Sequence, residues 1–269
     1  MDRKGKKMTM DIFARLKRQG EKIVMLTAYD LTSALIADRA GVDAILVGDS
    51  LGMVIQGQES TLPVDVEDMV YHTRCVARAR RDALLIADMP FMSYSSADQA
   101  LRTAGHLMKD GGAHMVKLEG GATQLATVDQ LTANGIPVCA HLGLLPQSVH
   151  RLGGYRVQGR DEESARIMRE DALALEAAGA QMLVLECVPS SLAAEISRLL
   201  AIPVIGIGAG ADCDGQVLVV YDMLGITDGP MPRFVRNFLQ QADSIAAAIS
   251  NYVQAVKDGS FPGPEQSFQ

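Results

Sequence analysis

Short apolar runs alternate with amphipathic stretches along almost the whole chain. Lys22–Thr27, Val42–Leu46, Leu84–Asp88, Ala113–Glu119, Pro137–His141, Met182–Glu186, Pro203–Ile207 and Gln216–Tyr221 are dominated by small and β-branched apolar residues, the composition of strands covered on both faces. Between them the apolar positions fall at helical spacing. They predict helices over Thr9–Arg18, Ser33–Ala40, Val64–Arg81, from the Ser95–Asp98 run to Lys109, and over Gln124–Asn134, Glu162–Ala178 and Pro189–Leu200, and largely one terminal helix over Pro232–Lys257. Asp30 and the Ser95-Ser96-Ala97-Asp98 run are placed as N-caps, while Gly41, Gly111-Gly112 and Gly179 end helices. Thr9–Arg18 sets Ile12, Phe13 and Leu16 on one side and is read as a lid on one end of the fold.

Eight strands alternating with helices, all buried on both faces, indicate a parallel sheet with right-handed crossovers. Closed on itself, this order is a (β/α)8 TIM barrel, an α/β fold that brings every strand C-terminus to one rim. An open doubly wound sheet is the alternative. A weak internal repeat at 40–44, 111–115 and 178–182, each joining a helix end to a strand that leads to an acid, agrees with repeated βα units. The barrel is expected to be one domain spanning 1–269, with an N-terminal arm over about 1–20 and a flexible tail over about 259–269. Two segments, Leu51–Pro63 and Gly143–Arg160, are too long for ordinary connections and are expected to shield a site.

Composition narrows the classes. A net charge of −7 argues against a nucleic-acid partner, which needs clustered Lys and Arg. No run approaches the length of a membrane span. The basic head Met1–Lys7 is followed by no apolar stretch of a secretory signal, and four scattered cysteines, Cys75, Cys139, Cys187 and Cys213, include no C-x-x-C pair. Reduced thiols in a cytoplasmic protein are the expectation.

The chemistry gathers where the apolar runs end. Val47-Gly48 leads into Asp49-Ser50, and the runs at 84–88, 113–119 and 182–186 close in Asp88, Glu119 and Glu186. Each acid taken alone could cap the following helix or pair with a base. Four together read as a layer of oxygen ligands, which suits a hard divalent ion, Mg²⁺ before Zn²⁺. Lys117 and Glu119 share a face of their strand, so Glu119 is the expected partner of Lys117, with a bound anion as its other target. His141 ends the fifth strand and either orients a substrate or is structural. Gly206-Ile207-Gly208-Ala209-Gly210-Ala211 fits a dinucleotide pattern literally, but Asp212-Cys213-Asp214 stands where an apolar helix should begin. A glycine loop after the seventh barrel strand, where anions often bind, explains it better.

Beyond spacing, several blocks carry a resemblance. Leu46-Val47-Gly48-Asp49-Ser50-Leu51-Gly52-Met53, His141-Leu142-Gly143-Leu144, Gly153-Gly154-Tyr155 with Gln158-Gly159-Arg160, Leu185-Glu186-Cys187-Val188-Pro189 and Ile205–Gly210 resemble the ketopantoate hydroxymethyltransferase family, from about residue 20 to the C-terminus. The resemblance implies a barrel of the phosphoenolpyruvate mutase/isocitrate lyase type. It implies transfer of a hydroxymethyl unit from 5,10-methylenetetrahydrofolate to 3-methyl-2-oxobutanoate, giving 2-dehydropantoate for pantothenate and coenzyme A synthesis. It also implies that Asp49 and Asp88 hold Mg²⁺ with Glu119 as a further metal partner. Asp49, Ser50, Asp88, Lys117 and His141 would meet the oxo acid, and Glu186 would be the general base. A homodecamer is the assembly it implies. A C–C lyase or mutase of the same barrel type is the competing enzyme, and an idle metabolite-binding barrel the non-enzyme reading.

Overall fold

The computed structural model describes residues 7–79 and 81–269, so residues 1–6 of the expected arm, and Arg80 in the expected basic end of the Val64–Arg81 helix, lie outside the described residues. The elements run α1 Met10–Arg18, β1 Ile23–Thr27, α2 Leu31–Ala40, β2 Ala44–Val47, α3 Leu51–Val54, α4 Val66–Ala79, β3 Leu84–Asp88, α5 Ala97–Lys109, β4 Met115–Glu119 and α6 Leu125–Ala133. They continue with β5 Val138–Gly143, α7 Val149–Leu152, α8 Glu162–Ala177, β6 Met182–Glu186, α9 Ser190–Leu199, β7 Val204–Ile207, β8 Gly215–Leu218, α10 Val220–Leu224 and α11 Ile245–Lys257. The eight strands pair in chain order, all parallel, and β1 pairs β8 to close the barrel. The open sheet is therefore excluded.

Period two along each strand divides the core. One set of side chains packs outward under the helices. The other set, Ile23 and Met25, Ala44 and Leu46, Leu84 and Ile86, Met115, Cys139, Met182 and Val184, Ile205 and Val217, fills the lumen. Ile12, Phe13 and Leu16 of α1 join this inner cluster, so α1 is a plug in one end of the barrel, as its amphipathic pattern indicates. Lys17 locks it there, donating to Asp214 Oδ2 at 2.7 Å and to the Ser197 carbonyl at 2.8 Å.

Caps behave as their residue types require. Asp30 Oδ1 accepts from Thr32 N and Ser33 N, and Ser96 Oγ accepts from Gln99 N. Residues 208–214 join β7 to β8 without a helix, as the glycine-loop reading expects, and Asp214 holds that link by accepting from Val204 N at 2.8 Å. Three features depart from the sequence reading. The eighth strand stops at Leu218, because Val220 N donates to Thr27 Oγ1 at 2.9 Å and turns the chain into α10. The terminal helix begins at Ile245 rather than Pro232. Asn237 Oδ1 takes the amides of Leu239 and Gln240 in a local turn that competes with a helix, and Ser244 caps the true start. The tail is packed rather than loose: Phe261 is 3% exposed, with its ring 5.4 Å from Phe238 and 5.9 Å from Tyr252, and the Phe268 carbonyl accepts from Ser190 N.

Candidate active site

The strand periodicity that fills the lumen with Leu84 and Ile86 carries Asp88 to the same inner face. By the same step Met115 leads to Lys117 and Glu119, Cys139 to His141, and Val184 to Glu186. β2 ends one residue earlier, and Gly48 lets the chain turn so that Asp49 and Ser50 reach the same rim. A Cβ on Gly48 would lie 2.8 Å from Ser50 Oγ and 3.4 Å from Asp88 Oδ2. All of these side chains line one cavity of about 730 Å³ at the C-terminal ends of the strands. Asp49, Ser50, Asp88, Lys117, Glu119, His141 and Glu186 are thus brought together.

None of the four acids caps a helix. Asp88 Oδ2 accepts from Asp49 N at 3.1 Å, while its Oδ1 lies 2.7 Å from Lys117 Nζ. The expected Lys117–Glu119 pair does not form. Asp88 stands opposite Lys117 in the β3–β4 register, and a neighbouring strand is closer than a residue two steps along the same strand. Glu119 turns instead to Gln147, whose backbone N–H donates to Oε2 at 3.1 Å, and to His141, whose Nδ1 lies 3.5 Å from Oε1. On its other side His141 Nε2 stands 3.3 Å from Glu186 Oε2. Glu119, His141 and Glu186 therefore form a row across β4, β5 and β6.

Charge among these buried side chains is uneven. Burial and the neighbouring carboxylates Asp88 and Glu119 push the Asp49 carboxyl well above the usual range. Burial pulls Lys117 down, but Asp88, Glu119 and Asp49 outweigh it and hold the ammonium firmly charged. Burial and Lys117 also pull His141 down, and its contacts with Glu119 and Glu186 reverse this to about 8. An acid-rich site that keeps its lysine protonated has no Schiff-base nucleophile.

Sequence reasoning missed Gln147. It sits inside the long loop after β5, is buried, and ties four groups together. Its Nε2 donates to Asp49 Oδ2 at 2.8 Å and to the Met89 carbonyl at 3.0 Å, its N–H donates to Glu119, and its Oε1 accepts from Tyr94 Oη at 2.5 Å. Loop length was the only signal that pointed there. Tyr29 was missed too; its hydroxyl lies 2.8 Å from Ser50 Oγ. The expected loops do meet at the site: Tyr155 Oη stands 3.5 Å from Met53 Sδ, and both residues line the cavity. Behind Glu186, Cys187 holds φ 48°, and a Cβ on Gly143 would lie 2.2 Å from the Glu186 carbonyl, so Glu186 is carried on a tightly folded strand end.

Among the described residues no three His, Cys, Asp or Glu side chains stand close enough to clasp an ion between them. Gln147 separates Asp49 from Glu119, bonding to both. The pair Asp49 and Asp88 still fits Mg²⁺, which takes one or two carboxylates and completes its octahedron with water and substrate oxygens. Glu119 Oε1 has no hydrogen-bond partner at good geometry, and burial with Asp88 and Glu119 disfavours the charge of Asp49, an environment that a divalent cation would offset. The Gly206–Gly210 stretch is followed by no helix. Its Gly210, at φ +84°, packs so closely that a Cβ would lie 2.6 Å from Ser190 Cβ.

Comparison with known proteins agrees with this geometry. The 3-methyl-2-oxobutanoate hydroxymethyltransferase of Halorhodospira halophila is 58% identical over 98% of this chain and 96% of its own length. Among solved structures, a 2,3-dimethylmalate lyase of the PEP mutase/isocitrate lyase superfamily superposes with a TM-score of 0.56, at 18% identity over 94% of this chain and 98% of that one. A phosphonopyruvate hydrolase in complex with oxalate and Mg²⁺ superposes with a TM-score of 0.61, at 12% identity over 96% and 93%. These two likenesses show the same (β/α)8 fold. A sequence model of ketopantoate hydroxymethyltransferase matches residues 7–264, and the chain belongs to that family.

Proposed function

We propose that this enzyme transfers a hydroxymethyl group from 5,10-methylenetetrahydrofolate to 3-methyl-2-oxobutanoate, forming 2-dehydropantoate. The observation that carries the reading is Glu186 on the rim with His141 beside it, across the cavity's inner end from the Asp49, Asp88 and Lys117 cluster. Asp49 and Asp88 would hold Mg²⁺, with Glu119 reaching it through water. When bound, the ion supplies Lewis-acid stabilisation of the negative charge that develops on the keto oxygen.

The chain's own groups do the rest. Asp49 and Ser50 face the keto end of the oxo acid, and the Lys117 ammonium meets its carboxylate. Glu186 removes the C3 proton as general base. His141, placed between Glu119 and Glu186, keeps the two carboxylates from opposing each other and fixes the orientation of the base. The carbon so formed bonds to the folate's methylene carbon, the C–N bonds to that carbon break, water supplies the hydroxyl, and tetrahydrofolate leaves. The loops that meet at Tyr155 and Met53 shield the reacting carbon from solvent.

The unpaired cysteines suit a reducing compartment, and no helix among the described residues is long and apolar enough to cross a membrane, so a cytoplasmic place fits. Exposed Tyr71, Phe91 and Met92 offer apolar faces for a homo-oligomer, for which the family resemblance suggests a decamer. The lyase or mutase alternative rests on structures of 18% and 12% identity, which speak to fold alone.

The test is exchange of the C3 proton of 3-methyl-2-oxobutanoate in D₂O, followed by NMR with Mg²⁺ and without folate. Metal-dependent exchange that Glu186→Gln abolishes supports the reading. Exchange surviving in Glu186→Gln moves the base elsewhere, and no product after folate is added removes the transferase reading.

A further inference from the structure

The cavity is larger than the chemistry placed in it. A small oxo acid fills only the inner end, where Asp49, Asp88, Lys117 and Glu186 converge, whereas about 730 Å³ lies in the range of about 300–1,000 Å³ that accommodates drug-sized ligands. The remaining volume opens toward α10 and the segment after it, and its lining there is largely apolar: Leu218, Val219, Pro230, Phe234 and Phe268. One half-buried carboxylate stands among them. Asp222 Oδ1 accepts from Thr227 Oγ1 at 2.5 Å, which fixes the plane of the carboxyl group, and no hydrogen bond among the described residues engages Oδ2. The preceding residue links this region to the inner site: the Tyr221 ring stacks 5.8 Å from Tyr29, whose hydroxyl contacts Ser50, next in sequence to Asp49.

A flat ligand with an apolar face and a donor edge matches this half of the cavity. The 2-amino-4-oxopyrimidine edge of a reduced pterin presents a ring N–H and an amino N–H side by side, the spacing that the two oxygens of one carboxylate accept. Given the transfer reaction proposed above, on which this inference rests, we infer that Asp222 anchors the pyrimidine edge of the folate co-substrate in the outer half of the cavity, with Thr227 as its positioning residue. Asp228 also lines the cavity but is exposed, so its carboxylate is held by water and selects less. Burial raises the Asp222 carboxyl above its ordinary value, so donors from a ligand gain more there than at a hydrated acid.

The experiment measures three quantities on the full chain with Mg²⁺: C3 exchange of 3-methyl-2-oxobutanoate without folate, KM for 5,10-methylenetetrahydrofolate, and the dissociation constant of tetrahydrofolate by calorimetry. Asp222→Ala and Asp222→Asn are expected to raise the folate KM and dissociation constant roughly 10- to 100-fold, the loss of a charge-assisted pair of hydrogen bonds, with exchange within about twofold of wild type. Thr227→Val, which loosens the loop but keeps the carboxylate, is expected to weaken folate binding less. A tetrahydrofolate analogue lacking the 2-amino group separates contact from loop disruption. Wild type should bind it less tightly than tetrahydrofolate, and Asp222→Ala should bind the two equally. Folate affinity unchanged in both Asp222 variants overturns the inference, as does equal discrimination against the analogue in wild type and Asp222→Ala. Wild-type enzyme that shows exchange but makes no product from the folate overturns the transfer reading itself, and this inference with it.

Discussion

Lys117 Nζ lies 2.7 Å from Asp88 Oδ1, across the β3–β4 register, with both side chains buried. This contact joins the Lys117 ammonium to a carboxylate that also accepts the Asp49 amide. Removing either partner takes from the other its closest opposite charge in a buried site.

Lys117→Met is therefore expected to destabilise the fold by about 3–5 kcal/mol, the cost of breaking one side of a buried pair. Urea unfolding measures it. Adding Asp88→Asn should restore part of the loss, with a coupling of about 0.5–3 kcal/mol in the double-mutant cycle. Strictly additive effects would show that the contact carries no energy of its own.

Gln147 holds Asp49, Glu119 and Tyr94 in one network. Gln147→Leu leaves the Tyr94 hydroxyl and one Asp49 oxygen without their partner, and should cost about 1–3 kcal/mol of stability. Displaced carboxylates should also slow C3 exchange, by up to about 100-fold. Tyr94→Phe, which removes one member of the network, should do less in both assays. Exchange at the wild-type rate in Gln147→Leu would separate the network from catalysis.

On the proposed reading that Asp49 and Asp88 hold Mg²⁺, the ion is a stabilising ligand, because it offsets a carboxylate charge that burial disfavours. Mg²⁺ at a hundredfold excess over its dissociation constant should add about 2.7 kcal/mol to stability. Thermal melting should rise by several degrees and fall back with a chelator. Asp49→Asn or Asp88→Asn should abolish most of the rise. A melting point indifferent to Mg²⁺ in the wild type would place the ion elsewhere.

Burial pushes the Cys139 and Cys213 thiols up to about 12 and also raises Cys187, so thiolate is scarce at neutral pH. Half-buried Cys75 should be alkylated first in the native protein, with the other three labelled only after denaturation. Mass spectrometry of timed iodoacetamide quenches checks the order. Raising the pH to about 9 should leave Cys139 and Cys213 slow, because both remain protonated well above that pH.

The eight strands, their parallel order and the acids at their ends were legible in the chain, because a strand buried on both faces leaves a continuous apolar run that stops where a rim begins. Asp88, Glu119, His141 and Glu186 could be placed at that rim because period two fixes the side on which each emerges. Local chemistry likewise marked the Asp30 cap and the amphipathic face of α1. Partner choice was not legible. Glu119 stands two residues from Lys117, yet Asp88, 29 positions away in the chain, takes the lysine, because lateral spacing between neighbouring strands is shorter than one strand step of two. The helix expected from Pro232 depended on whether the Asn237 side chain would claim the amides of Leu239 and Gln240, a competition that periodicity does not report. Nothing near Gln147 in sequence names Asp49, Glu119 or Tyr94. Only closure of the barrel brings those backbone ends within reach of one amide side chain, and only closure leaves Asp222 facing a cavity shared with Glu186. Sequence determined which elements form and which faces they bury; contacts between strands far apart in the chain decided which charges meet.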